Sequence, residues 1–132
     1  MNNIISLYLA ADDDDDKMNI LLDIVEDIDL KTYDFFLKEL DDKDLDEFVA
    51  IEIIKVVALY SPKSKLEKTI QTLFLLLENN DDDLVRVYAL QGLEHLPLMD
   101  NHYNTIQKIA KFSPDEDLQA TAQMILLRAG KN

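Results

Sequence analysis

No cysteine occurs among the 132 residues, which removes disulfides, thiolate metal sites and thiol nucleophiles together and agrees with a reducing compartment. Glycine appears twice and proline three times, too few for the repeated tight turns of a β-sandwich or barrel, so the expected class is all-α. Cations are scarce: 13 Lys and Arg stand against 27 Asp and Glu, a formal net charge of −14. Nucleic acid and anionic membrane surfaces both draw their affinity from cations, so neither is an expected partner. A membrane-spanning run is missing as well, since the longest mostly apolar stretch, Phe48 to Tyr60, carries Glu52 and Lys55. The apolar start Ile4 to Ala11 has no Lys or Arg before it and runs into five aspartates, which makes a poor secretory leader. A soluble, cytoplasmic protein is expected. At this length it forms one domain, 1–132, burying about two-thirds of its unfolded surface.

What is abundant is acid, and it is unevenly placed. Residues 1–47 hold 16 acids and 4 bases, whereas residues 48–132 hold 11 acids and 9 bases. Aspartates before or inside the first turn of a helix accept its orphan N–H groups and meet the positive end of its dipole. Capping takes one or two acids per helix start, yet Asp12 to Asp16 and the cluster Asp41, Asp42, Asp44, Asp46 and Glu47 supply five each. Surplus like charge costs stability by self-repulsion, so the excess points to an electropositive partner ahead of a pure solubility role. Asp13 to Lys17 followed by Met18 has the form of an engineered protease site, but the helix-like spacing of Ile4, Ile5, Leu7, Tyr8 and Leu9 makes the run part of the fold.

Apolar spacing of three and four residues recurs from end to end. It predicts helices over about 2–11, 15–28, 30–40, 44–60, 64–79, 82–95, 100–111 and 115–129. In the second, Ile20, Leu21, Ile24, Val25 and Ile28 make one stripe. The fourth is apolar nearly all round and so is expected to be buried on most sides. Ser61-Pro62, Pro97 and Gly130 are stops.

Catalytic and metal signatures fail on inspection. Carboxylate pairs are too common here to single out two for acid–base work. The calcium-loop spacing Asp42, Asp44, Asp46 has Glu47 where Gly is needed and Ile53 where Glu is needed. His95 and His102 lie seven apart across Pro97, without a third ligand beside them, and His95 reads as a helix-end residue. No phosphate loop or nucleophile elbow exists. A non-enzyme without metal or cofactor is expected.

Self-similarity narrows the fold. An offset of 39 places Asp44 on Asp83, Leu45 on Leu84, Ala50 on Ala89 and Ile54 on Leu93. An offset of 33 places Val85 on Leu118, Ala89 on Ala122 and Leu93 on Leu126. The stretch Asp81 to Leu93, with its Asp turn, Val85-Arg86 pair, Ala89 and Leu90, resembles a HEAT-like repeat. That resemblance covers about two-thirds of the chain and implies a short α-solenoid of about eight antiparallel helices with a surface for macromolecules. Residues 48–132 would be the near-neutral spine and 1–47 the acidic face.

By size and composition the chain is similar to the immunity proteins of bacteria, including those of contact-dependent growth inhibition. That similarity implies a basic protein partner, a nuclease-type toxin whose phosphate-binding active site the acids would cover. Two alternatives stand beside it: a HEAT-like scaffold or adaptor subunit anchored by apolar patches, and a DNA mimic that inhibits a DNA-binding protein. The expected contact residues are Asp23, Glu26, Asp27, Asp29, Tyr33, Asp34, Asp41, Asp42, Asp44, Asp46 and Glu47. Tyr33 is included because Tyr33 and Phe35, two apart, cannot both face one core, and an exposed tyrosine among acids is a common interface anchor.

Overall fold

The computed structural model describes residues 4–132. It contains α1 (Ile4–Ala10), α2 (Asp14–Leu22), α3 (Leu30–Leu40), α4 (Glu47–Tyr60), α5 (Leu66–Asn79), α6 (Asp83–Leu93), α7 (Asp100–Phe112) and α8 (Glu116–Ala129). A 3-10 turn, Lys63–Lys65, leads into α5, and among the described residues there is no strand. None of these helices is long and apolar enough to cross a membrane. Positions 2 and 3 of the first expected helix lie outside the described residues.

Most boundaries follow from local chemistry. Asp13, Asp29, Asp46, Asp82 and Asp115 cap α2, α3, α4, α6 and α8, each accepting from N–H groups two or three residues on. Helix α4 stops at Ser61, whose extended backbone precedes Pro62. At the end of α8, Gly130 takes a left-handed φ of 69°, so that the Lys131 N–H reaches the Leu126 carbonyl at 2.8 Å.

The second helix is shorter than its apolar stripe implies. It ends at Leu22, and the following residues cross to α3 without helical structure. Continuing it would put Asp23, Glu26 and Asp27 at the negative end of the dipole, and Asp29 must be extended to cap α3. The stripe therefore breaks up: Leu21, Ile24 and Ile28 are buried, while Val25 is 75% exposed. The Ile28 N–H instead donates to the Tyr60 carbonyl at 3.1 Å, tying this segment to the end of α4.

Helices α2, α4, α6 and α8 touch in succession and form one row, and α1, α3, α5 and α7 each pack on the even helix that follows. Helix α4 also contacts α5, which explains its composition: Val49, Ile53, Ile54 and Val57 are wholly buried. Its outer stripe is nevertheless open, with Phe48 and Leu59 about half exposed, so α4 is not apolar on every side for burial's sake. Gly92 of α6 lies close to both α4 and α5: a Cβ there would lie 3.1 Å from Leu73 Cδ1 and 3.3 Å from Ala58 Cβ.

Alternating direction puts every second loop on the same edge. The α3–α4 and α5–α6 loops share a groove through Asp41, Asp42, Asp81 and Asp82. Tyr8, at the end of α1, reaches Glu39, near the end of α3. Phe112 and Leu118 from the α7–α8 turn line a groove with Leu77 and Arg86. At the opposite edge sit the Ile28–Tyr60 bond and the Arg128–Glu94 and Lys131–Asp100 ion pairs.

Counting from the caps tests the register of the even helices. Asp82 and Asp115 are 33 apart, in agreement with the offset that puts Ala89 on Ala122. Asp46 and Asp82 are 36 apart, so the 39-residue offset does not superpose the caps, and Ile53 rather than Ala50 occupies the level of Ala89.

Candidate functional site

The eleven expected contact residues do not form one surface. Asp23, Glu26, Asp27 and Asp29 lie before α3, and Asp41, Asp42, Asp44, Asp46 and Glu47 lie after it. An 11-residue helix puts about 16 Å between those two groups. Asp34 is exposed on α3 between them. The first group rims a groove of about 450 Å³ whose apolar walls include Leu7, Ile24 and Val25.

Tyr33 is a correction. It is fully buried, and its hydroxyl meets Thr69 Oγ1 at 2.8 Å and donates to the Lys65 carbonyl at 3.3 Å. Thr69 Oγ1 also lies 2.8 Å from Ser61 Oγ and 3.0 Å from the Lys65 carbonyl, and Ser61 Oγ lies beside the Val57 carbonyl, so that three hydroxyl protons are shared among five such contacts. These three hydroxyls pin α3, α4 and α5 together, and burial pushes the Tyr33 hydroxyl above the usual tyrosine range. Tyr33 is buried and Phe35 half-buried because α3 is covered from two sides. Tyr8 of α1 lies edge-on to Phe35 and Phe36, while α4 packs on the other side.

Several acids are committed to backbone. Asp46 Oδ2 accepts from the Phe48 and Val49 N–H groups at 3.0 and 3.1 Å. Asp29 Oδ1 accepts from the Thr32 N–H at 2.8 Å, which lowers the Asp29 pKa. Asp42 Oδ1 closes the turn by accepting from the Asp44 N–H at 2.9 Å. Asp14, Asp15, Asp16 and Glu47 occupy first helical turns. With the caps and the turn, about half of the acids in 1–47 have such a local role, as cap chemistry implies.

What the expected set missed is how many loops converge. Burial pushes the Tyr8 hydroxyl above the usual tyrosine range; its 3.0 Å bond to Glu39 Oε2 and the charges of Glu39, Asp14 and Asp42 act in the same direction. The Asp12 to Asp16 run therefore faces the same end as the 41–47 cluster, and the groove of about 410 Å³ between α4 and α6 adds Asp81 and Asp82. The four loops of this edge with the helix turns that adjoin them, residues 12–17, 41–47, 81–86 and 111–117, hold 16 acids and 4 bases. Two of the bases are occupied: Lys17 lies over the Tyr8 ring, and Arg86 donates to the Leu77 carbonyl at 2.8 Å. Among the described residues no group of three or more His, Asp and Glu is placed to hold a metal ion. His102 Nδ1 accepts from the Met99 N–H at 2.9 Å and its ring stacks on Phe74, so it serves the start of α7.

Comparison with known proteins adds no assignment: no family model, no curated protein and no solved structure matches the chain.

Proposed function

We propose that the chain is a non-catalytic binding protein of the cytoplasm that neutralises a basic protein, as an immunity protein does a nuclease-type bacterial toxin, with the carboxylates covering the toxin's phosphate-binding active site. The observation that carries this reading is the edge formed by four loops with 16 acids and 4 bases. A nuclease presents Lys and Arg to phosphate, and opposed fields speed encounter to as much as about 10⁸–10⁹ M⁻¹s⁻¹. The row α2, α4, α6, α8 with buried Ala89 and Ala122 supports a short HEAT-like solenoid as the frame.

The test uses the full chain as bait at low and high salt, beside a variant with Asp12, Asp41 and Asp44 changed to Asn, which spares the caps. A basic protein retained at low salt, released at high salt and lost by the variant is the expected result, and a captured nuclease should be inactive while bound. Retention indifferent to salt and to the variant overturns the reading. That outcome would instead favour an adaptor anchored by the apolar groove beside Val25 and Leu7.

A further inference from the structure

The even helices present corresponding residues to solvent along the face they share. The second residue after each cap is Asp15 in α2, Phe48 in α4, Leu84 in α6 and Asp117 in α8. An exposed position directly behind a capping aspartate is a place for polar side chains, and the outer two helices follow that rule. The inner two break it: Phe48 is 51% exposed and Leu84 43%, while the next residue of each helix, Val49 or Val85, is buried. The first turns of α4 and α6 are brought together at the groove that holds Glu47, Asp81 and Asp82. Two large apolar side chains are thus held in water at the first turns of the inner helices, beside that groove, with Asp46 and Glu47 preceding Phe48 and Asp82 and Asp83 preceding Leu84.

We infer that Phe48 and Leu84 are the central apolar anchors of this edge, with Phe112 exposed at its α7–α8 end, and that the segment they receive is an amphipathic cationic one, with aliphatic side chains flanked by Lys or Arg. Charge complementarity selects that occupant. An anionic or purely apolar segment would leave the surrounding carboxylates desolvated without a partner, whereas Lys and Arg satisfy them as the aliphatic groups cover Phe48 and Leu84. A few central apolar side chains within a ring of polar ones is the arrangement that concentrates binding energy in protein interfaces. The inference rests on the reading of the chain as a binder of a basic protein and adds where the affinity comes from.

The experiment titrates the full chain against two fluorescent peptides of equal length and charge, one of Leu and Lys with helical apolar spacing, the other with Ser in place of Leu. The Leu/Lys peptide should bind at least about tenfold tighter. Phe48→Ser with Leu84→Ser should abolish that difference and leave Ser/Lys binding unchanged, with thermal unfolding confirming the fold. Val25→Ser, at the opposite edge, should leave the difference intact. Equal binding of both peptides, or a difference that survives the double substitution or vanishes with Val25→Ser, overturns the anchors while leaving the acidic edge standing. Failure of both peptides to bind overturns the acidic-edge reading as well.

Discussion

The two edges of the helix row carry different chemistry on the same scaffold. At the edge of the α1–α2, α3–α4, α5–α6 and α7–α8 loops, even helices begin with Asp13, Asp46, Asp82 and Asp115, and acids outnumber bases by 16 to 4. At the other edge α5 and α7 start from Lys65 and Met99 without an aspartate cap, and Glu94 and Asp100 pair with Arg128 and Lys131. The acids of 23–29 are that edge's exception. Charge in this molecule is therefore organised by edge as well as along the chain, since residues 81–86 and 111–117 bring six acids of the near-neutral part to the acidic edge and 23–29 carries four acids of the acidic part to the other.

The largest expected effect lies where the acidic edge is fastened. Tyr8 is buried against Phe35 and Phe36 and bonded to Glu39, so Tyr8→Ala should cost about 3–5 kcal/mol in urea unfolding and loosen the Asp12 to Asp16 run from its neighbours. At the opposite edge, Thr69→Val leaves the Tyr33 and Ser61 hydroxyls short of a buried partner and should cost about 1–3 kcal/mol. If Thr69→Val costs more than Tyr8→Ala, the fastening of the two edges is ranked wrongly.

Next comes the division of the edge acids into caps and surplus. Asp46→Ala should cost about 1 kcal/mol through loss of two N–H bonds, whereas Asp44→Ala, at an exposed position among like charges, should be neutral or stabilising. Equal costs would erase the distinction.

Alkaline titration examines both edges at once, since Tyr8 and Tyr33 each have a raised pKa. Their contribution is complete below the unfolded tyrosine value of about 10 and is lost as pH rises through the folded values. Two of the five tyrosines should therefore resist ionisation at 295 nm until the chain unfolds. On the acid side the Arg128 bond lowers the Glu94 pKa, so that contribution is present above the unfolded carboxylate value and is lost as pH falls through the folded one. Arg128→Ala should have the smallest effect of the series, because the pair is exposed, and high salt should shrink it further.

Much of this arrangement was legible in the residues. Helix positions followed from apolar spacing, and the stops at Ser61-Pro62 and Gly130 from backbone sterics. The end of α2 was not, because Ile24 and Ile28 continue a helical stripe yet are buried from an irregular segment. Tyr33 was misplaced for a related reason: two-residue spacing excludes a single core face but not a helix covered by α1 and α4 from different sides. The convergence of Asp14, Asp42 and Asp81 could have been found from strict alternation of helix direction, which sends every second loop to one edge. The exposure of Phe48 and Leu84 could not, since on spacing alone they read as two more core residues.

The aspartate caps have one more consequence. Helices that run side by side in one direction bring like dipole ends together, and each N-terminus carries about half a positive charge. Four such ends meet at one edge, offset in part by the C-termini of the odd helices that finish there, and Asp13, Asp46, Asp82 and Asp115 place an anion on each. Part of the edge's negative charge thus serves the helices themselves, and the acids beyond the four caps are the ones whose number can follow what the protein meets.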